Sequence, residues 1–215
     1  MLAPVPDRLA RSLACVPPNA PCVLLVRHAD RHEIPDGGSG HDVPLTDVGF
    51  ARAAALGTWL RDRSSVGADV SPLLRCVQTA EHALHGLPAQ EPAVATNLLG
   101  APGPFVVDGA RCSRHFTERG TPGVVRALLA GEPLAGMRSA QDATVLVVRH
   151  VRVRLDLGGT RLLVSHDAIV MPIIHHLCGE SFDGSWLDPL DGIAFTLDRG
   201  RLAVWWNGVQ SEVGP

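Results

Sequence analysis

An arginine and a histidine follow the first strongly apolar stretch of the chain. Val23-Leu24-Leu25-Val26 is an unbroken apolar run, typical of a strand buried on both faces of a parallel sheet, and Arg27 and His28 come directly after it. Ligands of open α/β sheets bind at the carboxyl ends of the strands. A permanent cation beside an imidazole that titrates near neutrality is costly next to an apolar strand unless an anion compensates it. The pattern therefore indicates an anion site, although two solvated residues after a strand would read the same way.

Three further segments carry polar side chains in comparable places. Ser71 to Ala80 follows a short apolar segment and contains Arg75 and Thr79. Ser165-His166-Asp167 ends the second clear apolar strand, and Pro44 to Gly49 (Pro-Leu-Thr-Asp-Val-Gly) leads into an amphipathic helix. Each segment is a weak signal by itself, but their order along the chain is informative.

Together the four segments resemble the signature of the histidine phosphatase superfamily, which contains phosphoglycerate mutases and acid phosphatases. That signature reads Leu-Val-Arg-His-Gly, Leu-Thr-x-x-Gly, Ser-x-x-x-Arg-x-x-x-Thr-Ala and a Ser-His pair, and the resemblance spans about residues 23–177. It implies that His28 is a nucleophile forming a phosphohistidine and that His166 donates to the phosphoryl oxygens. It also implies phosphate binding by Arg27, Arg31 and Arg75. Chemistry agrees, because guanidinium groups match phosphate geometry and a neutral imidazole can attack phosphorus.

Two residues near His28 depart from this signature. Ala29 replaces the usual glycine and could crowd the pocket, while Arg31 followed by Pro35 is closer to the acid phosphatase branch.

A second Val-Val-Arg-His sequence ends at His150, but no loop follows it, and we expect His150 on a helix surface.

The general acid is less well defined than the nucleophile. The mutase branch usually has a glutamate in the segment corresponding to residues 96–103, and here that segment contains no carboxylate. The acid phosphatase branch uses the aspartate after its second histidine, so the resemblance favours Asp167. Asp108 and Glu118 are the alternatives, and Asp167 could instead cap the helix that follows it.

Strands that alternate with helices predict an α/β fold, namely a three-layer α/β/α sandwich with a mostly parallel central sheet, phosphoglycerate-mutase-like, in a single domain over 1–215. The predicted strands are 23–26, 66–70, 93–98, 161–165, 193–197 and 201–206, and the predicted helices are 7–16, the segment after Thr46, 75–85, 122–130, 139–157 and 168–177. The Gly- and Pro-rich segment at about 99–123 is expected to be an irregular, substrate-facing insertion.

Composition excludes several classes of protein. The 215 residues are 46% hydrophobic with a net charge of −3, which suits a globular domain and not a nucleic-acid-binding protein. The chain has no lysine, which excludes a Schiff-base or Walker-type lysine. Five cysteines without a Cys-x-x-Cys pair fit reduced thiols. With no signal peptide or membrane span recognisable, we expect a cytoplasmic protein.

The predicted function is that of a phosphomonoesterase acting through phosphohistidine on a small phosphorylated metabolite. The alternatives are a phosphoglycerate-mutase-like phosphotransferase and a noncatalytic phosphate-binding protein on the same fold. We expect no cofactor and no metal, and a homodimer stays open. Specificity is expected to come from residues 37–43 and 100–123. There the candidates are three arginines for a second anionic group and three apolar residues for an apolar substrate body or for the core: Arg111, Arg114, Arg119, Phe105, Val106 and Val107.

Overall fold

The structure, a computed structural model, describes residues 5–35, 38, 40–88 and 91–213. The strands are β1 (Cys22–Arg27), β2 (Val66–Val70), β3 (Val94–Ala95), β4 (Thr160–Ser165), β5 (Gly192–Asp198), β6 (Arg201–Trp206) and β7 (Val209–Glu212). The helices are α1 (Asp7–Cys15), α2 (Asp47–Leu60), α3 (Leu74–Leu84), α4 (Gly109–Leu129), α5 (Ala140–Asp156) and α6 (Asp167–Cys178), with a 3-10 helix at Asn97–Leu99.

The strands form one sheet in the order β3-β2-β4-β1-β5-β6-β7. The first four pair in parallel, and β5, β6 and β7 extend the sheet through antiparallel pairs. Because β6 reverses the direction of β5, it runs the same way as β1, and most strands point in one direction. The predicted α/β class with a mostly parallel sheet is confirmed.

The two faces of the sheet carry separate apolar cores. In β1, Val23 and Leu25 pack into the core under α4, α5 and α6, and Leu24 and Val26 pack into the core under α1, α2 and α3. This alternation follows from the two-residue period of a strand, and burial of both sets explains why the run is apolar throughout. The helices therefore form a layer on each side, as the predicted sandwich requires.

The strand register brings the polar segments to one edge of the sheet. Arg27 at the end of β1 pairs with Ser165 at the end of β4, and Val70 at the end of β2 pairs with Val164. His28, Ser71 and His166 therefore leave three neighbouring strands at the same level. This edge is where an open α/β sheet binds its ligands.

Side chains at two helix starts explain why these helices begin where the sequence predicted. The Thr46 hydroxyl accepts from the Gly49 N–H at 3.1 Å at the start of α2, and the Ser139 hydroxyl accepts from the Asp142 N–H at 3.1 Å at the start of α5. Such caps satisfy N–H groups that the first turn of a helix leaves open. The helical prediction for the β-branched segment 139–157 is confirmed.

Three sequence predictions need correction. The strand predicted at 93–98 ends after Ala95, because the Thr96 hydroxyl accepts from the Leu98 N–H at 3.2 Å and turns the chain into the 3-10 helix. Part of the segment predicted to be irregular, 99–123, is helical from Gly109 onward. That helix continues past a kink at Gly120 (φ 63°), which together with Pro122 hid its length from the sequence. β7 was not predicted at all.

The prediction for His150 also needs correction. The residue lies on a helix, but its side chain reaches the sheet as well. Its Nε2 lies 2.7 Å from the carboxylate of the fully buried Asp69 on β2. Arg154 and Arg161 donate to the same carboxylate at 2.7–3.1 Å. The network ties α5 to the sheet on the side of β2, and a buried carboxylate needs partners of this kind.

Candidate active site

A cavity of about 590 Å³ opens at the carboxyl edge of the sheet. Its walls include every side chain that the sequence predicted for the site: Arg27, His28, Arg31, Arg75, His166 and Asp167. Asp108 and Glu118, the alternative acids, do not line it. Asp108 caps α4 through the N–H groups of residues 110 and 111, and Glu118 pairs with Arg114 at 3.3 Å on the exposed face of α4. Among the described lining residues, Asp167 is the only carboxylate.

His28 is buried as a neutral imidazole. Its Nδ1 lies 2.7 Å from the Ala29 carbonyl oxygen, and the residue is 3% exposed. Because a carbonyl oxygen only accepts, Nδ1 carries the proton and the lone pair is on Nε2. Burial lowers the pKa of His28 well below its ordinary value, and the neighbouring His166, Arg75 and Arg27 lower it further, against an opposing contribution from the hydrogen bond to Ala29. Nε2 therefore keeps a free lone pair at neutral pH, as the predicted nucleophile requires.

Two guanidinium groups flank His28, that of the half-buried Arg27 and that of the buried Arg75, and protein acceptors hold each of them. Arg27 donates through Nη1 to the Leu187 carbonyl oxygen and lies 3.2 Å from Asp167 through Nη2. Arg75 donates through Nη1 to the Gly40 carbonyl oxygen at 2.6 Å. Among the described residues, the Nε–H groups of both arginines are buried without a hydrogen-bond partner. Unsatisfied cationic donors are unfavourable in a protein interior, and a bound oxyanion would compensate their charge.

His166 holds Arg75 in place on the other side of the cavity. Nη2 of Arg75 lies 3.2 Å from Nδ1 of His166, whose Nε2 lies 2.9 Å from the Ser71 hydroxyl. A guanidinium only donates, so Nδ1 is the acceptor and Nε2 carries the proton. Burial, followed by the charge of Arg75, lowers the pKa of His166 to about 3. Both ring nitrogens thus face protein groups, and donation from His166 to a phosphoryl oxygen stays a prediction.

Asp167 lies at the start of α6 and is held as a carboxylate. Its Oδ1 accepts from the Ala168 N–H at 2.8 Å, and its Oδ2 accepts from the Trp186 indole N–H at 2.8 Å and lies near Arg27. Burial acts to raise the pKa of Asp167, but Arg27, Trp186 and the Ala168 N–H outweigh it and hold the pKa below its ordinary value. Asp167 contacts its own helix start and also faces the cavity, so neither of its two predicted roles excludes the other.

Arg31 lines the same cavity from the loop after β1. Its Nη1 donates to the His32 carbonyl oxygen at 2.7 Å, and its backbone forms a bridge with Leu45. The neighbouring Asp30 points elsewhere, because both of its carboxylate oxygens accept from Arg52 at 3.0 Å. Arg31 therefore lines the cavity, whereas Asp30 is not among its lining residues.

The small residues of the sequence segments position the site and do not line it. A Cβ on Gly49 would lie 2.1 Å from the Asp30 carbonyl oxygen, so only glycine lets α2 approach the loop after His28. Thr79 accepts from the Ala29 N–H at 3.1 Å and donates to the Arg75 carbonyl oxygen at 2.6 Å. Ala29 itself is buried in the core under α1, α2 and α3, and it does not crowd the pocket.

Sequence reasoning missed several groups that complete the site. Trp186 was not singled out, because no motif or periodicity surrounds it, yet its indole N–H holds Asp167. The carbonyl groups of Leu187 and Gly40, which hold the two guanidinium groups, carry no side-chain signal at all. Nor did it single out Ser71 as the partner of His166.

Comparison with known proteins supports the resemblance. Residues 23–98 match the profile of the histidine phosphatase superfamily (branch 1), and this segment includes His28 and Arg75. Over these residues the chain is similar to the histidine phosphatase superfamily. The zebrafish (Danio rerio) protein fructose-2,6-bisphosphatase TIGAR B is 40% identical over 62 residues, which cover 27% of this chain. The match covers only 24% of that relative's length.

Solved structures share the fold over most of the chain. YhfR of Bacillus stearothermophilus has a TM-score of 0.60 at 17% identity, with 87% of this chain and 96% of that chain covered. A phosphoserine phosphatase mutant of Entamoeba histolytica has a TM-score of 0.57 at 15% identity, covering 86% and 96%. A phosphoglycerate mutase of Bacillus anthracis has a TM-score of 0.53 at 16% identity, covering 92% and 94%. These likenesses establish the phosphoglycerate-mutase-like fold.

The described part of the chain contains no helix that is long and apolar enough to cross a membrane. In the same residues no three His, Cys, Asp or Glu side chains form a group that could hold a metal ion.

Proposed function

We propose that this protein is a phosphomonoesterase that works through a phosphohistidine on His28. One observation carries the proposal: the buried His28 lines the same cavity as Arg27 and Arg75, and its Nδ1 is held by the Ala29 carbonyl oxygen, which leaves Nε2 for phosphorus. Phosphoryl transfer depends on positioning and on neutralising the charge of the phosphoryl oxygens. These three residues meet both needs, and the match to the superfamily supports the same assignment.

The reaction has two steps. In the first, His28 Nε2 attacks phosphorus, the P–N bond forms and the P–O bond to the alcohol breaks, while protonated Asp167 gives its proton to the departing oxygen. In the second, water attacks the phosphohistidine, the P–N bond breaks and inorganic phosphate leaves. Asp167 then accepts the proton of the attacking water and returns to its acid form. Arg27 and Arg75, with Arg31, balance the negative charge throughout.

The pKa of Asp167 sets the expected pH dependence. Since this pKa is held below its ordinary value, the acid form is scarce at neutral pH. The first step with a poor leaving group should therefore be fastest under acidic conditions.

The test is to trap the phosphoenzyme with radiolabelled acetyl phosphate, a small and activated phosphoryl donor. Wild type should acquire label that is labile in acid and stable in base, and His28→Ala should acquire none and lose turnover. The matched control is His82→Ala on α3, since the His82 ring packs on Phe50 away from the cavity, and this variant should label like wild type. Equal labelling of wild type and His28→Ala would refute the assignment.

Turnover measured with and without added 2,3-bisphosphoglycerate separates the two other functions that the sequence left open. A noncatalytic phosphate-binding protein would bind phosphate without turnover, and a mutase would need 2,3-bisphosphoglycerate for activity. Fructose 2,6-bisphosphate belongs in the substrate panel because of the zebrafish relative. We propose a small phosphorylated compound as substrate and the cytoplasm as its compartment.

A further inference from the structure

The cavity has a cationic end and an apolar wall, and different parts of the chain supply them. Arg27, His28 and His166 come from the strand ends, with Arg75 at the start of α3. The wall comes from the segment 100–137, and its side chains are almost all apolar: Phe105, Val106, Phe116, Val124, Leu128 and Met137. We infer that the substrate is a phosphomonoester whose alcohol part is uncharged and largely apolar. This inference rests on the proposed function and specifies its substrate class.

The wall offers no cation to a second anionic group on the substrate, as far as its described residues show. The three arginines of α4 that the sequence offered for such a group do not line the cavity. Each of them pairs with a carboxylate on the exposed surface: Arg111 with Asp108 at 3.4 Å, Arg114 with Glu118 at 3.3 Å and Arg119 with Glu132 at 2.8 Å. A second phosphate or a carboxylate placed against the apolar wall would lose its hydration without gaining a cation, which is costly.

The small number of polar side chains in the wall argues against a sugar or another polyhydroxylated alcohol as the substrate's alcohol part. Within the described part of segment 100–137, Thr121 is the only polar side chain that lines the cavity. A site that selects a polyol places hydrogen-bonding groups against its hydroxyls, and it gains discrimination from them. An apolar wall gains affinity from buried carbon instead.

The volume of the cavity indicates an alcohol part with more than two or three carbons. A cavity of about 590 Å³ lies within the range of roughly 300–1,000 Å³ that encloses drug-sized ligands. A short alcohol would leave most of this space to water beside apolar surface. The half-buried Phe116 and Met137 give the wall apolar surface that a longer body would cover, and the half-buried Trp186 adds to it from another part of the chain.

The experiment is a series of n-alkyl phosphates from ethyl to hexyl. Their leaving groups are chemically alike, so that only the buried apolar length changes. We expect kcat/KM to rise roughly fourfold for each added methylene, and on the order of 10²-fold across the series. n-Propyl phosphate should also exceed glycerol 3-phosphate, which has the same carbon number but two hydroxyls.

Two phenylalanine variants locate the effect. Phe116→Ala removes a half-buried ring from the wall and should reduce the hexyl-to-ethyl ratio of kcat/KM about fivefold or more. Phe50→Ala removes a half-buried ring from α2, outside the cavity, and should keep the wild-type ratio. A ratio within one protein is insensitive to the fraction of folded enzyme, so partial unfolding of either variant does not disturb the comparison.

The outcomes separate the substrate class from the chemistry. If wild type hydrolyses acetyl phosphate through His28 but shows no rise along the alkyl series, or prefers glycerol 3-phosphate, the apolar substrate class is wrong and the proposed function stands. If neither acetyl phosphate nor any alkyl phosphate is hydrolysed and no phosphohistidine forms, the proposed function fails and the substrate class falls with it.

Discussion

Trp186 gives the sharpest test of Asp167 as a proton donor. The indole N–H donates to Oδ2 of Asp167 at 2.8 Å, and the Ala168 N–H and Arg27 also stabilise the carboxylate. Burial opposes these partners, but the pKa of Asp167 stays below its ordinary value. If Asp167 must carry a proton to act, the rate on an alkyl phosphate falls as pH rises above this pKa. Loss of the indole N–H should therefore raise the pKa of Asp167. The variant should then hydrolyse an alkyl phosphate faster at neutral pH, although it has lost a hydrogen bond in the site.

The perturbation is Trp186→Phe, which keeps an aromatic ring in the wall and removes the donor. A hydrogen bond to a charged acceptor contributes about 1.5–3 kcal/mol. We use the lower value, because water in the cavity can replace the indole N–H. Since about 1.4 kcal/mol corresponds to one pH unit, the descending limb of kcat/KM should move roughly one pH unit toward alkaline pH. The rate on hexyl phosphate at neutral pH should rise by up to about tenfold.

The assay compares complete pH profiles on hexyl phosphate and on p-nitrophenyl phosphate. The nitrophenolate leaving group needs little protonation, so its profile should not shift. Asp167→Asn serves as the reference: it should slow hexyl phosphate by about 10²–10⁴ and leave p-nitrophenyl phosphate nearly normal. The position of the limb is the readout, because a packing defect changes the height of a profile but not its pH.

Two results would contradict this reasoning. An unchanged limb in Trp186→Phe would mean that Asp167 does not supply the proton. An equal loss on both substrates in Asp167→Asn would assign Asp167 to orienting Arg27 and starting α6, which are the contacts that both substrates would need equally.

Three further predictions test the charge, the packing and the stability of the fold. Arg75→Ala should lower kcat by about 10²–10³, since it removes a preorganised donor near the phosphoryl group, and steady-state kinetics on acetyl phosphate measures this. Gly49→Ala should lower the free energy of unfolding in urea by about 1–3 kcal/mol, because its Cβ would meet the Asp30 carbonyl oxygen, whereas Gly109→Ala has open space and should not. Asp69→Asn should cost about 3–5 kcal/mol near neutral pH, because it removes the buried negative charge to which Arg154 and Arg161 donate. Burial acts to raise the pKa of Asp69, but its hydrogen-bonded partners lower it to about 2, so its stabilisation is present above about pH 4 and should fade as pH falls toward 2.

The sequence alone determined the elements and residues whose signal is local. β1 and β4 are apolar runs that are buried on both faces, as is typical of the central strands of a parallel sheet. Because parallel strands end at a common edge, the placement of Arg27 and His28 near His166 and Asp167 followed from the predicted sheet. The superfamily resemblance added Arg75, and the structure places its side chain in the same cavity.

The tertiary structure alone decided the contacts that join distant parts of the chain. Trp186 reaches Asp167 across a loop, and Ser71 reaches His166 from another strand end, although no periodicity links the members of either pair. These contacts determine which nitrogen of His166 carries the proton and why Asp167 is ionised. A side-chain pattern cannot report them, because hydrogen-bond partners depend on distances that only the packed chain defines.

The apolar wall of the cavity could not be predicted from the sequence, for the same physical reason. The kink at Gly120 and the long α4 appeared in the sequence as an irregular Gly- and Pro-rich segment. Phe116 was not singled out in the sequence, and α4 presents it to the cavity only when packed on the sheet. The sequence determined where the candidate site lies, because strands and charges are local features. The tertiary structure decided what surrounds that chemistry, because a cavity is formed by surfaces that meet only after folding.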